Sequence, residues 1–155
     1  MPLCKGYALG RDRRLFRQLL VAAALIALLA TPALAANPTM SICAPKQRNT
    51  PTKTCIVDGD TIWLNGQNLR MKDYDTPEPS TAICGGAAEV ALAKRATARL
   101  RDLLNANPWT VETFGRDRHG RTLATIRIDG MDVGDILILE QLARRWPDGH
   151  EWWCN

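Results

Sequence analysis

The dipeptide Asn65-Gly66 constrains the folding of this chain more than any other feature. Both residues tolerate positive φ, which a type I′ turn requires, and that turn matches the twist of two antiparallel strands. On its N-terminal side, Thr54 to Leu64 alternates, with Ile56, Asp58, Asp60, Ile62 and Leu64 on one face at period two. On the far side, Gln67 to Tyr74 returns as the partner strand and carries Arg70, until Pro77 and Pro79 end it. A strand running unbroken through Gly59 points Asp58 and Asp60 the same way.

Further along, the period changes. Gly86 to Asn105 is helical, with Leu92, Ala96, Leu100, Leu103 and Leu104 on one stripe and Lys94, Arg95, Arg99 and Arg101 largely off it. Asn107-Pro108 breaks the helix. Trp109 to Phe114 and Arg121 to Ile128 are expected strands around a charged turn, Gly115 to Gly120. Asp129-Gly130 is another turn, and Asp132 to Arg144 is a shorter helix with Val133, Ile136, Leu137 and Leu142 inward. The tail has no clear period, and Trp146, Trp152 and Trp153 are expected to cover the core beside Cys154. Short strands, a helix, more strands and a second helix indicate α+β. The expected form is a five-stranded Greek-key barrel of the OB type with two or three helices, whose surface and loops commonly bind oligonucleotides.

The first 35 residues are not part of that fold. Residues 1–18 are polar and basic, Leu19 to Ala30 is an unbroken apolar run, and Ala33-Leu34-Ala35 is a small-x-small cleavage site. This is the pattern of a secretory signal cut after Ala35. The run is too short for a membrane span, which needs roughly 20 apolar residues. Arg13-Arg14 hints at the twin-arginine route, but such pairs are common in basic leaders, so the Sec route is favoured; either gives a periplasmic or secreted protein. The expected organisation is a signal over 1–35, an irregular lead over 36–53, and one domain over 54–155.

Removing the signal changes the charge argument. The chain holds 20 basic and 16 acidic residues, and residues 1–35 hold five basic residues and one acid, so 15 of each remain. The pI near 9.0 therefore does not indicate nucleic-acid binding, and any basic patch must come from local arrangement. Cys43, Cys55, Cys84 and Cys154 also remain. An even number in a small exported chain favours disulfides. Without Cys-x-x-Cys, and with His119 and His150 isolated, the pattern argues against zinc. Of three possible pairings, Cys43–Cys55 and Cys84–Cys154 are expected, the first stapling the lead to the first strand and the second tying the tail to the segment before the long helix.

Charged residues recur in a fixed order: Asp58-Gly59-Asp60, Arg70, Asp75-Thr76-Pro77-Glu78, and Arg118-His119-Gly120-Arg121. Each alone has a plain structural explanation. The first is a bulge or turn, the third resembles a capping box, and the fourth is a solvated hairpin tip. Together they are complementary. Asp60 and Asp75, with a backbone carbonyl near Thr76, offer the oxygens a hard divalent cation wants. Glu78 sits close enough to hold a water. Arg70 and Arg121 present planar forks that meet phosphoryl oxygens bidentately.

These blocks resemble the signature of the thermonuclease (staphylococcal nuclease-like) family. The likeness extends through Ile128-Asp129-Gly130 and the following helix, over about residues 54–146. It implies an OB-fold barrel with helices and calcium-dependent hydrolysis of DNA and RNA at the P–O5′ bond, leaving 3′-phosphate ends. It further implies that Asp60 and Asp75 are calcium carboxylates, that Thr76 gives a carbonyl ligand, and that Glu78 is the general base. Arg70 and Arg121 become the phosphate-binding arginines, and Asp58 an acid that tunes the site. Arg118 and His119 are expected beside the substrate, His119 standing where a tyrosine occurs in the family. Gln141 occupies a place often held by glycine at the end of the second helix. A monomer acting on single strands is expected. The alternatives are an inactive nucleic-acid-binding module of the same fold, or a disulfide-stapled exported interaction domain.

Overall fold

The computed structural model describes residues 36–79 and 84–154. The leader expected over residues 1–35, and residues 80–83 of the loop before the long helix, lie outside the described residues. The segment after Ala36 has no helix or strand of its own, yet it is anchored. Met40 is buried in the core, Asn37 exchanges hydrogen bonds with the Trp109 backbone, and Ile42 bridges to Ile56.

The strand expected over Thr54 to Leu64 is instead two strands folded on each other. β1 (Cys55–Ile56) pairs antiparallel with β2 (Thr61–Leu64), Ile56 opposite Ile62. The chain reverses at Asp58-Gly59-Asp60. There the Asp58 carboxylate accepts the Asp60 N–H at 3.2 Å, and the Val57 and Asp58 N–H groups donate to the Thr61 carbonyl. A short acidic side chain bonding its own backbone two residues on competes directly with strand pairing. The alternating pattern is satisfied on both sides of the turn and so conceals it.

The Asn65-Gly66 turn forms as expected, with φ of 48° and 77°, and pairs β2 with β3 (Gln67–Met71). The return strand is shorter than expected. After a bend at Lys72-Asp73, Tyr74–Asp75 leaves the main sheet as β4 and pairs elsewhere. Tyr74 gives the reason. Its ring is fully buried against Gly134, and its hydroxyl donates to the Gly59 carbonyl at 3.1 Å, which draws the chain beneath the first turn.

α1 (Gly86–Ala106) buries Ala93, Ala96, Leu100, Leu103 and Leu104 at helical spacing. Fully burying one such leucine stabilises the fold by ~1.5–3 kcal/mol. β5 (Trp109–Arg116) and β6 (Thr122–Ile128) are antiparallel, and β6 runs parallel to β3. β7 (Met131–Asp132) pairs with β6 across the Asp129-Gly130 turn. Among the described residues the main sheet has the order β1-β2-β3-β6-β5, with β7 beside β6. Its outer strands β1 and β5 do not pair, so the sheet is not closed. A mixed sheet with two helices is the expected α+β class, consistent with the OB arrangement.

α2 (Val133–Leu139) starts on Asp132, whose carboxylate accepts the Gly134 N–H at 2.8 Å. It ends five residues before the expected stop at Arg144. The Leu142 N–H bonds the Leu137 carbonyl and the Gln141 N–H bonds the Ile138 carbonyl, with Gln141 at φ 57°. This is a Schellman closure with glutamine in the left-handed position. It lets Leu142 bury and releases the chain into β8 (Arg144–Arg145), which pairs antiparallel with β4, Asp75 opposite Arg144. A short 3₁₀ turn, Trp152–Cys154, closes the described chain. Both expected disulfides form, Cys43–Cys55 and Cys84–Cys154.

Candidate active site

The first turn and β4 bring the two acids of the site together. Asp60 is buried. Its Oδ2 accepts the Thr76 N–H at 3.0 Å and the Thr76 hydroxyl at 3.2 Å, and its Oδ1 accepts the Thr61 hydroxyl at 3.0 Å. Gly59 makes this close approach possible, because a Cβ there would stand 2.7 Å from the Thr76 methyl and 2.9 Å from its hydroxyl. Arg70 projects from β3 and joins both acids, Nη1 to Asp60 Oδ1 and Nη2 to Asp75 Oδ1. Asp75 spends its other oxygen on Arg144, which donates from Nε at 3.1 Å and Nη2 at 2.9 Å.

Charge is concentrated here. Burial, then Asp58, pushes the Asp60 carboxyl up to about 8, against the pull of Arg70 and the Thr76 N–H. Burial also raises Glu78, with Asp58 and Asp75 adding to it and Arg70 opposing. Arg70 is itself desolvated, yet Asp60 and Asp75 hold its proton more tightly than usual. Two carboxylates brought together in a largely buried place, one of them held against its charge by burial, offer the oxygen donors that a hard divalent cation takes. Asp60 and Asp75 fit that group. Thr76 spends its N–H and hydroxyl on orienting Asp60, leaving its carbonyl as the atom for a ligand role.

The remaining expected residues sit on the β5–β6 hairpin. Asp117 organises its tip. Asp117 Oδ1 accepts the N–H groups of His119 and Arg121 at 2.9 Å each, and Oδ2 accepts Arg121 Nε at 2.7 Å. Burial opposes the charge on Asp117, but these bonds outweigh it and hold its pKa below the usual carboxylate value. Arg118 Nε and His119 Nε2 lie 3.1 Å apart on the exposed tip. Arg70, Asp75, Arg118, His119 and Arg121 all line one groove of about 490 Å³. Asp60 and Thr76 are not among its walls and join it through Arg70. Glu78 is half-buried and couples to the groove electrostatically through Asp75 and Arg70.

Four residues were missed. Asp117 is signalled by Asp-x-x-Gly, since Gly120 N–H returns to the Asp117 carbonyl as a turn requires. Arg144 is hidden because its partner Asp75 is 69 residues away. Glu89 carries no signal at all. It is buried in the first turns of α1, and its carboxylate accepts N–H groups of Glu78, Cys84 and Gly85. Trp146 departs from the expected covering role. Trp153 is buried, but Trp146 is 48% exposed, stacks on Arg144 at 5.0 Å and lines the groove, and Trp152 is also exposed.

A family model described as staphylococcal nuclease homologue matches residues 68–150. The matched span includes Arg70, Asp75, Thr76, Glu78, Arg121 and Arg144, and begins after Asp60. The chain is also 35% identical over 86 residues to a succinoglycan biosynthesis protein, ExoI, of Rhizobium meliloti (strain 1021). That alignment covers 54% of this chain and 45% of the relative, so the chain spans less than half the relative's length.

Proposed function

Because the chain belongs to the staphylococcal nuclease homologue family, we propose that it is an exported, calcium-dependent endonuclease. It hydrolyses phosphodiester bonds of DNA and RNA, prefers single strands, leaves 3′-phosphate ends and acts as a monomer. The observation that carries this reading is Arg70, which bridges the buried Asp60 to Asp75 and lines, with Asp75, the groove that also holds Arg121. Export is supported by the two disulfides. Among the described residues no helix is long and apolar enough to cross a membrane.

Asp60, Asp75 and the Thr76 carbonyl would hold the calcium. When bound, the ion supplies Lewis-acid charge to a phosphoryl oxygen. The protein's own residues do the rest. Arg70 bridges two carboxylates and Arg121 holds one through Nε, and both exchange these for phosphoryl oxygens when substrate enters. Those oxygens gain charge as the bond breaks, so preorganised guanidiniums favour the transition state over the ground state. Glu78 takes the proton of the attacking water. Its raised pKa brings it nearer the pH of catalysis than an ordinary glutamate. Arg118, His119 and Trp146 line the path of the strand, and an open groove admits splayed bases more readily than a duplex.

The test is incubation of the purified protein with denatured DNA, duplex DNA and RNA, with calcium or with chelator, followed by end-group analysis of the products. Calcium-dependent cleavage, faster on denatured DNA and leaving 3′-phosphates, supports the proposal. Binding without cleavage would indicate an inactive nucleic-acid module, and neither would indicate an interaction domain.

A further inference from the structure

We propose that Arg144 is a positioning residue for this site and that the Cys84–Cys154 disulfide holds it in place; this rests on the nuclease reading above. Arg144 is 7% exposed and does not line the substrate groove, so it cannot meet the phosphate itself. Its fork fixes one oxygen of Asp75, leaving the other for Arg70. The backbone reinforces the pair, because Asp75 and Arg144 are register partners in the β4–β8 ribbon. A carboxylate held from both sides has one orientation, and a ligand or orienting acid is only as precise as that hold.

Arg144 is in turn held by the tail. Nη1 donates to the Gly149 carbonyl at 2.6 Å, and Nη2 to Glu151 Oε1 at 2.7 Å. Glu151 belongs to the turn closed by Cys154, whose N–H bonds the Glu151 carbonyl at 3.0 Å. Cys154 is bonded to Cys84. On the other side of the bridge, the Cys84 N–H donates to Glu89, whose second oxygen accepts the Glu78 N–H. One crosslink therefore stands between two arms, one reaching Asp75 through Glu151 and Arg144, the other reaching Glu78 through Glu89. Reduction cuts their junction. A dithiol delivers two electrons and two protons to the bridge, leaving thiols on Cys84 and Cys154 and becoming a disulfide itself.

The experiment uses the purified protein and reads calcium affinity by calorimetry beside kcat and KM on denatured DNA. Arg144→Met should weaken calcium binding and lower kcat by about 10–100-fold. Arg144→Lys should recover part of each, because a point charge reaches Asp75 but cannot fork. Arg99→Met, which breaks an exposed ion pair outside the groove, is the control and should change neither. In a Cys43→Ser/Cys55→Ser protein, which keeps only the tail bridge, dithiothreitol should lower calcium affinity and rate together, and reoxidation should restore both, with the circular dichroism spectrum retained throughout. Arg144→Met behaving like Arg99→Met overturns the positioning role. If Arg144→Met does not fold, the reduction series decides. Unchanged affinity and rate after reduction, or melting of the whole domain, overturns the role of the bridge. A wild-type protein that binds calcium but cleaves nothing removes the nuclease reading, and the calcium titrations still decide Arg144.

Discussion

Thr76 aims both its backbone N–H and its hydroxyl at a single oxygen of Asp60, at 3.0 and 3.2 Å. The carboxyl group is buried, so each donor replaces a lost water, and removing one leaves a buried acceptor less compensated. Thr76→Val keeps the shape and the N–H and deletes the hydroxyl. It should destabilise the protein by ~1–3 kcal/mol, the range for leaving a buried polar atom unsatisfied, measured by urea unfolding. Gly59→Ala should weaken calcium binding without touching any acid, since its new methyl displaces Thr76 from Asp60. Calorimetry showing wild-type affinity in Gly59→Ala would mean that Thr76 does not organise Asp60.

Gln141 closes α2 in the left-handed conformation, at φ 57°. A side chain there costs ~1–2 kcal/mol that glycine avoids, partly offset by the greater freedom of glycine in the unfolded chain. Gln141→Gly should therefore stabilise the protein by about 1 kcal/mol, raising the melting temperature by about 4 °C. A lower melting temperature would show that the glutamine side chain contributes more than its backbone costs.

What could be foreseen in the sequence divides along a physical line. The Asn65-Gly66 hairpin and the buried face of α1 are local: turn chemistry fixes one and helical spacing the other. The disulfide pairing expected among three possible ones is the pairing that forms. The reversal at Asp58-Gly59-Asp60 was concealed because the same alternation serves one long strand or two short ones. The early end of α2 was missed because Gln141 carries no stop signal and Leu142-Ala143 continues the apolar pattern. Arg70, Asp75, Arg118, His119 and Arg121 do meet in one groove. Arg144 and Glu89 act across the fold, through a ribbon and a loop that exist only once the chain has closed on itself, and no local pattern encodes them.

The ion pair between Arg99 of α1 and Glu140 at the end of α2 allows a clean test of pH linkage. Arg99 donates from Nε to both carboxylate oxygens and from Nη2 at 2.6 Å. These bonds hold the Glu140 pKa below its usual value. The unfolded state then binds more protons than the folded state, so the contribution is full above the ordinary glutamate pKa and disappears as pH falls through the folded one. Both side chains are more than a third exposed or nearly so, at 40% and 34%, and solvent limits the coupling to ~0.2–1 kcal/mol. A double-mutant cycle of Arg99→Ala and Glu140→Ala should find that coupling at neutral pH and lose it in acid. Coupling that persists in acid would assign the contact to packing.

Arg121 separates charge from geometry. Its Nε bonds Asp117 at 2.7 Å, and its side chain is 29% exposed to the groove shared with Arg70. Arg121→Lys keeps the positive charge and can keep the pairing with Asp117, so stability should change by no more than ~0.5 kcal/mol. The lysine cannot offer two parallel donors to a phosphoryl group. If the fork acts mainly on the transition state, kcat should fall by about 10²–10³-fold while KM moves little. A raised KM with unchanged kcat would instead mean that Arg121 binds the strand equally before and during bond breaking. Wild-type values of both would remove Arg121 from the chemistry and leave Arg70 as the guanidinium that acts on the scissile phosphate.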